Sequence, residues 1–150
     1  MCGIVGFHTK KSIDKNQVLG PMMESIKHRC PDASGTYFNK KLALGHQRLS
    51  IIDIKNGAQP MFSIDGRHII IFNGEIYNFL KLRKELSLKG YSFYSQTDTE
   101  VVMKAYVEWG TDCLKKFNGM FAFALYDPRN QLVFLARDRA GEKPLFLFNN

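Results

Sequence analysis

Met1-Cys2-Gly3-Ile4-Val5-Gly6-Phe7 opens the chain, and the reading of this stretch decides the rest. A cysteine directly behind the initiator methionine, followed by small and apolar residues, becomes the first residue of the mature chain once Met1 is removed. A thiol and a free α-amine then share one residue. Their unperturbed pKa values are about 8.5 and about 7.7–8.0, so near neutral pH an unprotonated amine can take the thiol proton, directly or through a water. Nucleophile and base would both come from Cys2. Judged on the cysteine alone, a small buried residue opening a core strand is the commoner arrangement. The remaining sequence has to separate the two.

Outward from this stretch, Ile4, Val5 and Phe7 leave little polar alternation, so Cys2 to His8 is predicted as a largely buried strand. Val18, Leu19, Met22, Met23 and Ile26 recur at helical spacing and predict a helix ending near His28, with Pro21 tolerable only near its start. Pro31 ends that segment, because the residue before a proline is pushed out of the helical region. Strands are predicted from Gly35 to Asn39 and from Leu42 to Ile52. The second carries Arg48 among apolar neighbours. Its guanidinium fork suits a carboxylate held at a fixed point, and an ordinary strand arginine paired with a nearby acid reads equally well.

Gly57 to Pro60 reads as loop, Asp65-Gly66 as a turn and His68 to Phe72 as a strand running into Asn73-Gly74-Glu75. Asn73-Gly74 is either a turn or a side-chain amide beside a backbone N–H, the pair of donors an oxyanion needs. Asn78 is a candidate N-cap for a helix striped by Phe79, Leu82 and Leu86 and closed by Gly90. Tyr91 to Ser95 is predicted as a short strand. Thr97 and Glu100 have capping-box spacing for a helix buried through Val102, Ala105, Tyr106 and Trp109. Asp98 favours that helix's N-terminus, and as a carboxylate it could also meet a substrate ammonium. Met120 to Tyr126 and Leu132 to Ala136 form a hairpin, and Leu145 to Phe148 a last strand.

Composition narrows the classes. At 150 residues, 45% hydrophobic and 23% charged, the chain is expected to be one folded domain and not a disordered segment. No apolar run reaches the roughly 18 residues of a membrane span, and no secretory pattern precedes the first strand, so a cytoplasmic location and no membrane role are expected. Cys2, Cys30 and Cys113 are odd in number and widely spaced, which suits neither a disulfide framework nor a zinc site. His28, Cys30, Cys2 and His46 have no recognised ligand spacing, so no metal is expected. The net charge of +7 is concentrated in residues 1–50, where eight Lys or Arg face three acids. Lys10-Lys11 and Lys40-Lys41 read as solvated turns, and with no nucleic-acid motif present, nucleic-acid binding is not expected.

Six ordered motifs then align with a known family: Met1 to Phe7, His28-Arg29-x-Pro31-Asp32, Gly45-His46-x-Arg48-Leu49-Ser50-Ile51, Phe72 to Asn78, Thr97-Asp98-Thr99-Glu100 and Arg137-Asp138-Arg139-x-Gly141-x-Lys143-Pro144-Leu145. The chain resembles class II glutamine amidotransferases, most closely the glutaminase domain of asparagine synthetases, over essentially its whole length. The resemblance implies an α+β fold, the four-layer αββα sandwich of N-terminal-nucleophile hydrolases, here without the family's later C-terminal elements. It implies that Cys2 attacks the glutamine side-chain amide to give a γ-glutamyl thioester, which water hydrolyses. Asn73 and Gly74 would stabilise the oxyanion. Arg48 would hold the substrate carboxylate, and Glu75 and Asp98 its ammonium.

It implies no cofactor in this domain, with ATP and Mg²⁺ needed only by a synthetase domain supplied in cis or by a partner subunit. Oligomeric state stays open, a homo-oligomer included. Cys30 stands where the family usually has glycine. With the acceptor domain lacking, an inactive interaction or regulatory module that keeps the fold is the alternative reading.

Overall fold

Why two sheets stack face to face is legible in the central strands. The computed structural model describes residues 2–29, 32–49, 53 and 55–149. Strands β1 (Gly3–His8), β2 (Ala33–Phe38) and β3 (Leu42–Arg48) form an antiparallel sheet in the order β1-β3-β2, and every residue of β3 is buried. A strand buried on both faces needs a layer on each side. Ala43 packs with Leu19 and Met23 of helix α1 (Lys15–Ser25), and Gly45 leaves room for the Met23 sulfur. Leu42 and Leu44, on the opposite face by strand alternation, join Ile69, Ile71, Ala124 and Tyr126 of the second sheet.

That second sheet is ordered β4 (Met61–Phe62), β5 (Ile69–Ile76), β6 (Gly119–Asp127) and β7 (Leu132–Arg137), all antiparallel. Its outer face, with Ile70, Phe72, Ile76, Phe121, Phe123 and Leu125, packs under helices α2 (Phe79–Leu88) and α3 (Asp98–Trp109). Helix, sheet, sheet, helix is the four-layer αββα order expected.

Alternation along these strands sets the site. Arg48 follows Leu42, Leu44 and His46 onto the inter-sheet face of β3. Asn73 and Glu75 follow Ile69 and Ile71 onto the inter-sheet face of β5.

Several expectations need correction. Pro21 lies inside α1, well past its start; the proline and Gln17, four residues before it, are exposed, so the carbonyl it leaves unbonded faces water. Tyr91 to Ser95 is not a strand, because the amides of Tyr94 and Ser95 donate to the Glu100 carboxylate at 3.1 and 2.8 Å. The capping box is therefore half made. Thr97 Oγ1 accepts from Glu100 N–H at 3.2 Å, while the Glu100 side chain serves Tyr94 and Ser95. Asn78 takes the N-cap position of α2 as expected, but its side chain makes no capping bond; it bonds Lys116 O and Asn118 N–H instead and ties α2 to the start of β6. Leu145 to Phe148 is irregular, with Phe146 92% exposed. The strand expected from Leu42 to Ile52 ends at Arg48, and Cys30, Pro31, Ser50, Ile51 and Ile52 lie outside the described residues.

Candidate functional site

β4 contributes only two pairs to β5, Met61 with Ile70 and Phe62 with Ile69, so among the described residues no strand lies beside the rest of that edge of β5. The edge carries the backbone groups of Phe72, Gly74 and Ile76. On the other side of the sheet, Phe121, the register partner of Gly74, spends its N–H and C=O on Asp138. The Gly74 N–H therefore points away from β6. Its two neighbours on the edge are met by side chains: Phe72 N–H donates to Gln59 Oε1 at 2.6 Å and Ile76 N–H to Asp98 Oδ2 at 3.0 Å. The Gly74 amide between them lines a cavity of about 110 Å³.

Six residues singled out in the sequence, Cys2, Arg48, Asn73, Gly74, Glu75 and Asp98, all line this cavity. Asn73 and Gly74 lie inside β5, which excludes the turn alternative. Gly74 must be glycine because a Cβ would run into Met120 O and the Phe121 backbone. Cys2 precedes β1, and its sulfur meets Leu49, the residue that follows β3. Leu49 N–H donates to Sγ at 3.4 Å, the thiol faces Leu49 O at 3.8 Å, and Arg29 Nε holds Cys2 O at 3.3 Å.

Arg48 is buried and its Nη2 donates to Asp53 O at 2.9 Å. Gly57 packs so closely on Nη2 that any side chain there would displace the guanidinium. Asp53 in turn accepts from Gln96 N–H at 2.9 Å, and this bond holds its carboxyl below the usual range. The loop under Arg48 is thereby fastened to the segment leading into Asp98.

Asp98 is buried at the first turn of α3. Burial pushes its carboxyl up to about 6, with the Glu75 charge adding in the same direction and the Ile76 N–H opposing. Glu75 is exposed, at the mouth. Cations and carboxylates thus face one small space that also holds a thiol and a strand amide that meets no acceptor among the described residues. Such an arrangement can grip a zwitterion by both ends while presenting donors to a carbonyl. Among the described residues no three His, Cys, Asp or Glu side chains gather as a metal site.

Some cavity residues carried no assigned role in the sequence. Gln59, read only as loop, bridges Phe72 N–H and, through Nε2 at 3.3 Å, Thr99 Oγ1, clipping β5 to α3. His46 is fully buried behind the site, its Nε2 3.1 Å from Phe72 O. Burial lowers its pKa to about 4, so the ring is neutral and Nε2–H donates to that carbonyl. Lys143, quoted within a motif, lines the cavity and is 4% exposed. No periodicity marks such residues; only the partner backbone, distant in sequence, does.

The thiol at the chain start and the four-layer sandwich define a class, and comparison with known proteins agrees. The chain belongs to the glutamine amidotransferase domain family, which residues 1–150 match throughout. It is 41% identical over 150 residues to asparagine synthetase [glutamine-hydrolyzing] 3 of Bacillus subtilis, covering 97% of this chain and 24% of that protein. With asparagine synthetase B [glutamine-hydrolyzing] of Escherichia coli it shares 38% identity, covering 98% of this chain and 27% of that protein. The chain thus spans about a quarter of the length of these relatives. The fold matches that of glutamine phosphoribosylpyrophosphate amidotransferase from B. subtilis with a TM-score of 0.69 at 19% identity, over 91% of this chain and 36% of that one. No helix among the described residues is long and apolar enough to cross a membrane.

Proposed function

We propose that this domain hydrolyses the side-chain amide of glutamine through a thioester on Cys2 and supplies the ammonia to an ATP-dependent amidation, asparagine synthesis by similarity to the relatives. The observation that carries this reading is the convergence of Cys2 Sγ, the Gly74 amide, Arg48 and the carboxylates of Glu75 and Asp98 on one cavity. With Met1 removed, the Cys2 α-amine takes the thiol proton and sulfur attacks the amide carbon. The Asn73 side chain and Gly74 N–H receive the developing oxyanion. Arg48 holds the α-carboxylate, and Asp98 with Glu75 the α-ammonium. Collapse expels ammonia, and water releases glutamate.

On this reading residues 1–150 are a glutaminase domain, and the acceptor chemistry lies in a synthetase region in cis, as the lengths of the relatives suggest. ATP and Mg²⁺ enter only there. The test is glutamate release by the full-length protein, its N-terminus verified as Cys2 by intact mass. Cys2→Ala should reduce release to background. Unchanged release in that variant refutes the mechanism, and no release from the Met1-free parent leaves the inactive module as the reading.

A further inference from the structure

One charged side chain in the cavity has no part in the reaction as written. Lys143 is 4% exposed, and a lysine is almost never so buried without charge to answer it. Its place is built by Asp138. That carboxylate accepts Phe121 N–H at 3.1 Å and Lys143 N–H at 3.0 Å on Oδ2 and Glu142 N–H at 2.9 Å on Oδ1, while Asp138 N–H donates to Phe121 O at 2.8 Å. Phe121 is the register partner of Gly74. The loop from Asp138 to Lys143 is thus fastened to the β6 residue opposite the proposed oxyanion donor, and Lys143 enters the cavity from that end.

Among the described residues, the charged groups lining the cavity are Arg48 from β3, Glu75 from β5, Asp98 from α3, Lys143 from the loop after β7 and, once Met1 is removed, the Cys2 α-amine ahead of β1. Glutamine brings one carboxylate and one ammonium. Arg48 balances the first, but Glu75 and Asp98 together exceed the second by one negative charge. An oxyanion forming beside that surplus would be opposed by it. We infer that Lys143 is the charge-balancing residue of this site, offsetting the surplus carboxylate so that negative charge can develop on the amide oxygen beside Gly74. The inference rests on the glutaminase reading. In the step concerned, the thiol proton moves to the Cys2 α-amine, sulfur bonds the amide carbon and the carbonyl π pair moves to oxygen. On collapse the C–N bond breaks, and nitrogen takes the proton and leaves as ammonia. Lys143 exchanges no proton. It sets the potential in which the oxyanion forms and acts most strongly in the transition state.

The experiment compares Lys143→Met and Lys143→Arg with the parent in the full-length, Met1-free protein, following glutamate release against pH. Lys143→Met should lower kcat on the order of 10- to 100-fold with KM changed less than about threefold. The acid limb of kcat/KM should move to higher pH, because loss of a cation favours the protonated form of the α-amine and of Asp98 alike. Lys143→Arg should restore rate and limb. A wild-type rate and limb in Lys143→Met overturns the inference. So does an arginine variant as slow as the methionine one with both limbs unmoved, which assigns the residue to packing. Should Lys143→Met lack a cooperative melt, Lys143→Gln is read by the same criteria. Absence of glutamate release from the parent sinks the glutaminase reading, and this inference with it.

Discussion

Asp98→Asn should make the protein more stable and less able to bind glutamine, with the gain appearing only above acidic pH. Burial raises the Asp98 carboxyl from the ordinary 3.8 to about 6, so its ionised form is disfavoured in the folded state. A raised carboxylate pKa means the folded state holds a proton that the unfolded state has released. Nothing is lost below about pH 3.8, and stability falls as pH rises from there through about 6. The full cost of the ionised carboxylate is about 1.36 kcal/mol times about 2.2, or about 3 kcal/mol. Asparagine keeps an oxygen for the Ile76 N–H and carries no charge. It should therefore be equal to the parent near pH 4 and more stable by about 1–3 kcal/mol near pH 7.5.

His46 opposes this trend in the parent. Its lowered pKa of about 4 withdraws stability as pH falls below 6.5, but it does so in both proteins and cancels in the difference. Urea unfolding at a series of pH values measures that difference, and glutamate release measures the loss of kcat/KM, expected on the order of 100-fold. A stability difference that stays flat with pH, or a variant less stable at neutral pH, refutes the argument.

Gln59→Leu leaves Phe72 N–H without its acceptor and Thr99 Oγ1 without its donor. It should cost about 1–3 kcal/mol in urea unfolding, and glutamate release should slow as β5 and α3 lose their clip. Glu100→Ala removes a fully buried carboxylate that accepts three hydrogen bonds from Tyr94 and Ser95 and pairs with Lys104 at 3.4 Å. A loss of about 3–5 kcal/mol is expected, with KM for glutamine raised because the 94–97 segment leads into Asp98; a loss below about 1 kcal/mol contradicts it.

Helix α3 and strand β6 were legible because each buries an apolar set. β1 forms where its apolar run predicted a strand, but it is not largely buried, since only Gly3 is enclosed and Ile4, Val5 and Phe7 are half-buried. Tyr91 to Ser95 misled for the complementary reason: its aromatic residues have strand composition, but a carboxylate five residues on takes the amides a ladder would use. Asn73-Gly74 stayed ambiguous locally because the glycine is required by a backbone nearly fifty residues away, at Met120 and Phe121. Cys2, Arg48, Asp98 and Glu75 could be singled out since their chemistry is conspicuous. Gln59 and His46 could not, since a neutral amide and a buried ring reveal nothing until the peptide they bind is in view.

The short β4 has a consequence for natural variation. Residues 57–60 stand where further ladder partners of β5 would lie, and Pro60 has no N–H to give such a ladder. Were they to zip onto Phe72 and Gly74, the sheet would gain regular pairs and the Gly74 amide would be consumed by its own chain. The protein so formed would be sturdier and inert. Changes in this loop should therefore be sought among variants that fold well, survive in the cell and do nothing.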